Sequence, residues 1–204
     1  MPAVLLIACA GPRVVPDRPV RPDAAAREFS AEMTTTRPDA TYSEKLYVGN
    51  GRVRLDSSGS EHLVIILHDF DHRTTTFLVP EQLADFHLPD LDPDALRPEG
   101  YFAGDGGSPC APEKKLLRCE RIGESQLGTF ETAEWRIEEG PADHKTSTHL
   151  WIDKATRVKV KAVSTGAKTL TTEITRLSMG HQPDGLFEVP ADYVLHMQAR
   201  EAPH

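Results

Sequence analysis

The stretch from Glu134 to Leu177 alternates between apolar and polar residues with a period of two. Successive side chains of a strand point to opposite faces of its sheet, so this alternation predicts strands with one buried face. Leu150 and Ile152 would share one face, and Val160 the corresponding face of the next strand. Turn-forming groups interrupt the pattern at Gly140-Pro141, Asp153-Lys154 and Gly166. The stretch therefore predicts an antiparallel meander whose apolar side must be covered.

Similar patterns on both sides of this stretch extend the expected sheet over most of the chain. His62–Asp69 is apolar almost throughout, which predicts a central strand covered on both faces. Gly49-Asn50-Gly51 is typical of a tight hairpin turn. The further predicted strands cover residues 29–34, 41–48, 52–56, 73–79, 114–122 and 128–138. We therefore expect a mainly β domain from residue 27 to residue 195, followed by a short tail at 196–204.

The pattern changes in residues 80–113, which we interpret as an insertion. Pro80 is suited to the first turn of a helix, and Glu81–Phe86 could form a short one. Residues 87–109 then hold four prolines and four glycines. Long irregular segments within a compact domain usually act as lids or binding loops, or are disordered.

Composition excludes several classes of protein. The 204 residues are sufficient for one domain with a real core. A net charge of −8 disfavours a nucleic-acid surface, because binding to phosphates requires concentrated Lys and Arg. No apolar run approaches the roughly 20 residues of a spanning helix.

The N-terminus carries a candidate lipidation site at Cys9. Leu6-Ile7-Ala8-Cys9 resembles the lipobox of bacterial lipoproteins, in which the cysteine receives the lipid. We interpret residues 1–9 as a truncated signal ending at this cysteine, the alternative being a frayed terminus with a chance cysteine. Residues 10–26 contain four closely spaced prolines and favour extended geometry, which suits a tether but also a tail without a role.

The two remaining cysteines, Cys110 and Cys119, form an even pair once Cys9 is assigned to a lipid. An oxidising compartment would favour a disulfide between them, worth about 2–3 kcal/mol in the chain-entropy model. Two buried thiols are the alternative.

Three segments together resemble the LolA/LolB-like superfamily of bacterial envelope proteins, in an uncharacterised branch. They are FSAEMTTTRPDATYSEKLYVGNGRVRLD, HLWIDKATRVKVKA and LFEVPADY. The resemblance implies a strongly curved antiparallel sheet, a half-barrel, with helices or loops over an apolar concave face. This sequence departs from the family in its insertion after Pro80, and we expect the short helix and this insertion to lie over the concave face. Better-known members carry lipoprotein acyl chains or sense envelope lipoproteins.

On this basis we expect a periplasmic or envelope lipoprotein that binds a hydrophobic ligand or an acyl chain. The alternative is a regulatory or structural protein that binds another envelope protein through edge strands or the insertion. Whether the aromatic residues line a cavity or fill a core is left open by the sequence. The candidate apolar face comprises Leu46, Val64, Ile66, Phe77, Trp135, Leu150 and Val160.

No catalytic, metal or cofactor site is predicted. The sequence has no nucleophile elbow, no zinc-protease motif, no phosphate loop and no dinucleotide fingerprint. The run from His68 to His72 is dense in metal-ligand types, but strand alternation and turn chemistry explain it. Asp90–Asp94 begins like a calcium loop, but Ala95 and Tyr101 occupy the positions that require Gly and Glu.

Overall fold

Phe29–Thr36, the first strand (β1), pairs on both sides and joins the two halves of one sheet. The computed structural model describes residues 27–49, 51–59, 63–82, 84–87, 98–103, 108–110, 116–141 and 145–195, with 84–87, 98–99 and 195 as backbone. On one side of β1 lies β2 (Thr41–Gly49), its neighbour in the chain, and on the other side lies β11 (Thr169–Met179). Strands from opposite ends of the domain therefore meet at its centre.

The first half of the sheet grows from β1 by successive hairpins. It continues through β3 (Arg52–Ser58), β4 (Leu63–Asp69), β5 (Thr74–Val79) and β6 (Ala84–His87), and ends in a short parallel pairing with β12 (Val194–Leu195). The second half comprises β7 (Leu116–Leu127), β8 (Phe130–Glu139), β9 (Thr146–Asp153) and β10 (Lys159–Thr165), which lead back to β11. The strand order is 12-6-5-4-3-2-1-11-10-9-8-7.

The predicted mainly β, antiparallel architecture is confirmed. The described strands form one open sheet, in which β12 and β7 lie at opposite ends and are not paired with each other. The described part of the chain has almost no helix, only 3-10 turns at Pro80–Gln82, Pro98–Tyr101 and Asp184–Phe187.

The short helix predicted at Glu81–Phe86 was wrong. Only a 3-10 turn forms at Pro80–Gln82, and Ala84–His87 is a strand that pairs with Thr76–Val79 of β5. A single helical turn would satisfy few backbone groups, whereas the strand pairs its backbone with a neighbour that is already in place.

The buried hydrophobic side chains lie on opposite faces of the sheet in its different parts. The largest buried cluster contains Phe29, Leu46, Val48 and Val53 on one face of β1–β3, together with residues of β10 and β11. A second cluster, Ile65, Leu67 and Leu78, lies on the other face of β4 and β5 and packs against Tyr193. The C-terminal segment therefore covers one face of β4, whereas Val64 and Ile66 on its other face are only half-buried, so the predicted covering of β4 on both faces is present in part.

The C-terminal segment is fastened to β1 and β3 by polar contacts. Glu28, only 6% exposed, accepts hydrogen bonds through Oε2 from Gln182 N–H at 2.9 Å and from the ring of His181 at 2.9 Å. Arg54 donates to Leu186 O at 2.9 Å, and the guanidinium of Arg52 lies 4.9 Å from the ring centre of Phe187. These contacts hold the segment across the sheet and thereby cover β3 and β4.

Candidate functional site

The seven residues predicted to form an apolar face all lie on the same face of the sheet. Residues directly opposite each other on paired strands share a face, so the register assigns each side chain. We call the face that bears Phe29 the Phe29 face and its reverse the Ser30 face. The register places on the Phe29 face Leu46, Val64, Ile66, Phe77, Trp135, Leu150 and Val160.

These seven residues differ in how far they are covered. Leu46 and Val160 are fully buried and Leu150 is 4% exposed, so they belong to the packed core. Val64, Ile66, Phe77 and Trp135 are half-buried. The Phe29 face is therefore closed in its centre and partly open on two flanks, one formed by β4 and β5 and the other by β8. A role of these residues in binding a ligand stays a prediction.

Residues 98–103 of the insertion close the centre of the Phe29 face. Phe102 packs edge-to-face on Phe29 with ring centres 5.4 Å apart, and Tyr101 does so at 6.3 Å. Ala103 N–H donates to Arg157 O at 2.8 Å, and Ala103 packs against Leu150. Burial raises the pKa of Tyr101 to about 12, and the charge of Glu44 adds to this effect. The phenol is thus neutral and part of the core.

Cys110 and Cys119 form a disulfide, as predicted. Their Cα atoms are 5.7 Å apart, and the bridge closes a loop with a sequence separation of 9. Cys119 lies opposite Ile137 of β8 and therefore on the Phe29 face. The disulfide ties the end of the insertion to the edge strand β7 on the same face that Phe102 covers.

The β4–β5 flank contains a buried histidine, His68, that is 3% exposed. Its Nδ1 lies 2.5 Å from Thr75 Oγ1, and its ring packs on Phe70 with centres 4.1 Å apart. Burial lowers the pKa of His68, and the nearby charge of Asp69 opposes this only in part, so the ring is neutral at pH 7. Among the described residues, Nε2 has no hydrogen-bond partner.

The β8 flank contains a comparable polar atom, the indole Nε1 of Trp135. It is buried and has no hydrogen-bond partner within the described part of the chain. The ring packs beside Ala103 and Leu150. Buried polar atoms are normally satisfied, so each of the two flanks of the Phe29 face contains an exception, a buried polar atom without a hydrogen-bond partner among the described residues.

A polar group on the Ser30 face was not predicted from the sequence. The imidazole of His149 stacks on Trp151 with ring centres 3.7 Å apart, and Lys161 Nζ lies 5.6 Å from the Trp151 ring centre. His149 Nε2 is 3.0 Å from a carboxylate oxygen of Glu134. Hydrogen bonding by Ser125 lowers the pKa of Glu134 against the opposing effect of burial, and His149 adds to the lowering. The sequence signal was the spacing of His149 and Trp151, which places both on one side of β9.

The two histidines of the His68–His72 run have different hydrogen-bond partners, Thr75 for His68 and Asp69 for His72. His68 points to the Phe29 face, whereas His72 lies in the β4–β5 turn with its Nδ1 2.9 Å from Asp69 Oδ2. Within the described ranges, no group of three or more His, Cys, Asp or Glu side chains could hold a metal ion. The Asp90–Asp94 stretch lies outside the described residues.

The predicted lipidation cysteine, Cys9, and the Pro-rich segment 10–26 also lie outside the described residues. In the part of the chain that the structure covers, no helix is both long and apolar enough to span a membrane.

Comparison with known proteins supports the fold and assigns no function. No family model matches the sequence, and no curated protein does. Among solved structures, an uncharacterized conserved protein from Thermus thermophilus is similar, with a TM-score of 0.57 and 11% sequence identity. The match covers 84% of this chain and 90% of that one. At this identity the likeness shows a shared fold alone.

Proposed function

We propose that this protein is a bacterial envelope lipoprotein that binds a hydrophobic ligand, such as a lipid or a lipoprotein acyl chain, on the Phe29 face. The observation that carries the proposal is the half-buried β4–β5 flank. It combines Val64, Ile66 and Phe77 with the buried, unpartnered Nε2 of His68. An acyl chain with a polar head would cover the apolar side chains and could satisfy the imidazole.

The proposal includes a strongly curved sheet, a half-barrel whose concave side is the Phe29 face, with residues 80–113 as its cover. The contacts of Tyr101, Phe102 and Ala103 with that face support this role for the insertion. The disulfide supports it too, because it fixes the end of the insertion beside β8. The resemblance to LolA/LolB-like proteins, carried by the segments at 29–56, 149–162 and 186–193, suggests the same arrangement.

A matched pair of charge substitutions on one strand tests ligand binding. Ile66 points to the Phe29 face, whereas Leu63, 37% exposed, points to the Ser30 face of the same strand. A buried carboxylate in contact with an acyl chain is strongly unfavourable, so Ile66→Asp should weaken binding of a fluorescent fatty acid by ~10-fold or more. Leu63→Asp should bind as the natural protein does.

The control for this experiment is the far-ultraviolet circular dichroism spectrum, which must show that both variants are folded. If no lipid probe is taken up by the natural protein, or if both variants lose binding equally, the proposed carrier function is wrong.

Envelope anchoring is tested separately at Cys9. We expect the full-length protein, expressed in a bacterium supplied with labelled palmitate, to become labelled and to fractionate with membranes. Cys9→Ser should abolish both properties without changing the fold. The disulfide is compatible with an exported protein, since such bonds persist in oxidising compartments. Unchanged labelling of the Cys9→Ser variant would contradict lipidation at this residue.

The alternative function, recognition of another envelope protein, is favoured by one feature, the edge strand β7. Its outer edge is unpaired within the described sheet, and Leu117 and Ile122 are 58% and 38% exposed. Exposed edges can accept a strand from a partner. A partner cross-linked in envelope extracts, released by Leu117→Lys but retained by Ile66→Asp, would identify this function rather than ligand binding.

A further inference from the structure

A pocket of about 480 Å³ is lined mainly by residues of the Ser30 face, together with Ala31 and Leu177 of the Phe29 face. It opens where β2, β1 and β11 run beside the tip of the β7–β8 hairpin, which contributes Thr129 and Phe130. Five of its eleven lining residues carry hydroxyl groups, and two carry aromatic rings, Tyr47 and Phe130. Its volume is within the range of small-molecule sites, which is roughly 300–1,000 Å³.

The strand register aligns the polar residues of this pocket in two rows across three strands. Glu32 of β1 lies directly opposite Lys45 of β2 and Arg176 of β11. In the next row Ser30 lies opposite Tyr47 and Ser178. Side chains opposite each other on neighbouring strands are about 5 Å apart. The pocket floor is therefore a compact grid of charged groups and hydroxyls.

The grid carries one net positive charge in a chain whose net charge is −8. Arg176 is paired with Glu32 at 3.3 Å, with the guanidinium side chain 79% exposed. Lys45 is exposed and forms no salt bridge with the described residues. Glu173, the next carboxylate along β11, is already paired with Lys161 at 2.8 Å. Lys45 also lies opposite Asp56 of β3, which is paired with Arg54 at 2.6 Å. An anion entering the pocket would thus meet an ammonium group whose two neighbouring carboxylates, Glu32 and Asp56, are each paired with an arginine.

A β-bulge shapes the rim of this pocket. The pairing of β1 with β11 shifts between Glu32 and Met33, and the extra residue on β11, Thr175, donates its hydroxyl to Glu32 O at 3.2 Å. Bulges bend a strand and re-aim its side chains, and they occur frequently beside binding sites. The half-buried ring of Phe130 also lines the pocket and packs against the buried cluster that contains Phe29 and Ala31.

We propose that this pocket binds an acidic monosaccharide unit, that is, a sugar ring with a single carboxylate. The ammonium of Lys45 and the guanidinium of Arg176 would hold the carboxylate, and the row of Ser30, Tyr47 and Ser178 would exchange hydrogen bonds with ring hydroxyls. Phe130 would pack on the apolar C–H face of the ring. This site is centred on β1, β2 and β11, whereas the proposed lipid site is centred on β4 and β5.

The experiment compares three probes that carry the two chemical features singly and together. Glucuronate has a carboxylate and ring hydroxyls, acetate has the carboxylate alone, and glucose has the hydroxyls alone. In amide NMR titrations of the full chain we expect glucuronate to shift the signals of residues 30–32, 45–47 and 175–178, with a Kd of ~1 mM. Acetate and glucose should each bind at least about 5-fold more weakly.

Two substitutions and a matched control complete the test. Lys45→Gln removes the free cation, so glucuronate binding should fall about 3- to 5-fold. Phe130→Ala should weaken glucuronate and glucose but leave acetate unchanged. Lys168→Gln, which changes the net charge equally at an exposed position in the β10–β11 turn, should have no effect. The proposal is overturned if acetate binds as well as glucuronate, if Lys168→Gln weakens binding as much as Lys45→Gln, or if the shifts spread over the surface.

Discussion

Phe29 is the residue on which the packing of the Phe29 face converges. Its side chain has no exposed surface and contacts Tyr101 and Phe102 of the insertion as well as the buried residues of β2 and β3. Edge-to-face aromatic pairs contribute about 0.5–1.5 kcal/mol beyond the burial of area. One side chain therefore links the centre of the sheet to the segment that covers it.

We expect Phe29→Ala to lower the free energy of unfolding by about 3–5 kcal/mol, because it removes a large buried ring and leaves a cavity between two segments. Urea denaturation followed by tryptophan fluorescence measures this change. Leu117→Ala is the matched control, since Leu117 is 58% exposed and its truncation should change stability by less than about 0.5 kcal/mol. Similar losses for both variants would contradict the central position of Phe29.

Asp69 and His72 form a titratable pair in the β4–β5 turn. Burial opposes ionisation of Asp69, but hydrogen bonds from the backbone and ring of His72 and the charge of that ring lower the pKa of Asp69. The hydrogen bond with Asp69 and its charge raise the pKa of His72. Asp69 thus stabilises the fold above its unfolded pKa of 3.8, and His72 does so below its unfolded pKa of 6.5. The contribution of the pair is largest between these values and is lost on either side.

Asp69→Asn should return the pKa of His72 towards 6.5, because the largest cause of its shift is the hydrogen bond with this carboxylate. An NMR titration of the His72 ring measures the change. Asp71→Asn, which removes a smaller contribution to the same shift, should lower the pKa less. A raised pKa of His72 that persists in Asp69→Asn would show that a group other than Asp69 stabilises the protonated ring.

Among the elements, the insertion is the one whose position depends most on a covalent bond, the Cys110–Cys119 disulfide. Residues 98–103 are fixed by aromatic packing and by Ala103, whereas residues 108–110 are fixed by the disulfide to β7 and by the hydrogen bond from Cys110 N–H to Ser108 Oγ at 3.1 Å. Because the bridge joins the insertion to an edge strand, both gain stability from it.

The double variant Cys110→Ser, Cys119→Ser should lower the free energy of unfolding by about 2–3 kcal/mol, since the unfolded chain regains the entropy of a short loop. Amide hydrogen exchange should rise most in Ser108, Cys110 and β7, whereas β2 and β3 should exchange faster only to the extent set by the loss of global stability. Intact mass should increase by two hydrogen atoms when the natural protein is unfolded and reduced. An unchanged mass, or an equally stable double variant, would contradict the bridge.

At the scale of the whole molecule, the pairing of β1 with β11 determines how the chain must fold. Phe29 lies opposite Met179 and Thr36 opposite Thr171, so this ladder joins residues 135 to 150 positions apart, whereas the β2–β3 ladder joins neighbours in the chain. Closing a long loop costs entropy before any contact compensates for it. We therefore expect the two halves of the sheet to form before they join.

Stopped-flow refolding, observed through Trp135 and Trp151, should take milliseconds to seconds, as is usual for sheets dominated by distant pairings. Ile174→Ala, at the β1–β11 junction, should mainly accelerate unfolding, and Val53→Ala, in the β2–β3 hairpin, should mainly slow folding. If Ile174→Ala slows folding more than Val53→Ala does, the junction forms early and this order is wrong.

Period-two alternation by itself determined most of the secondary structure. Within a strand, the face on which a side chain lies depends only on whether its position is odd or even, which we call its parity. It placed Leu46, Ile66, Phe77, Trp135 and Val160 on one face without knowledge of which strands pair. Residues 84–87 were misassigned, because their strand depends on pairing with β5. A segment of four residues has too little local pattern to distinguish a strand from a helical turn.

Only the tertiary structure decided which apolar residues are core and which are half-covered, since this depends on where Phe102 and the C-terminal segment return across the sheet. The same is true of the pocket on the Ser30 face. Lys45, Glu32 and Arg176 are far apart in sequence and meet because β1 pairs with both β2 and β11. Parity is a local property of the chain, whereas strand order depends on the free energy of all the pairings together, which no single segment encodes.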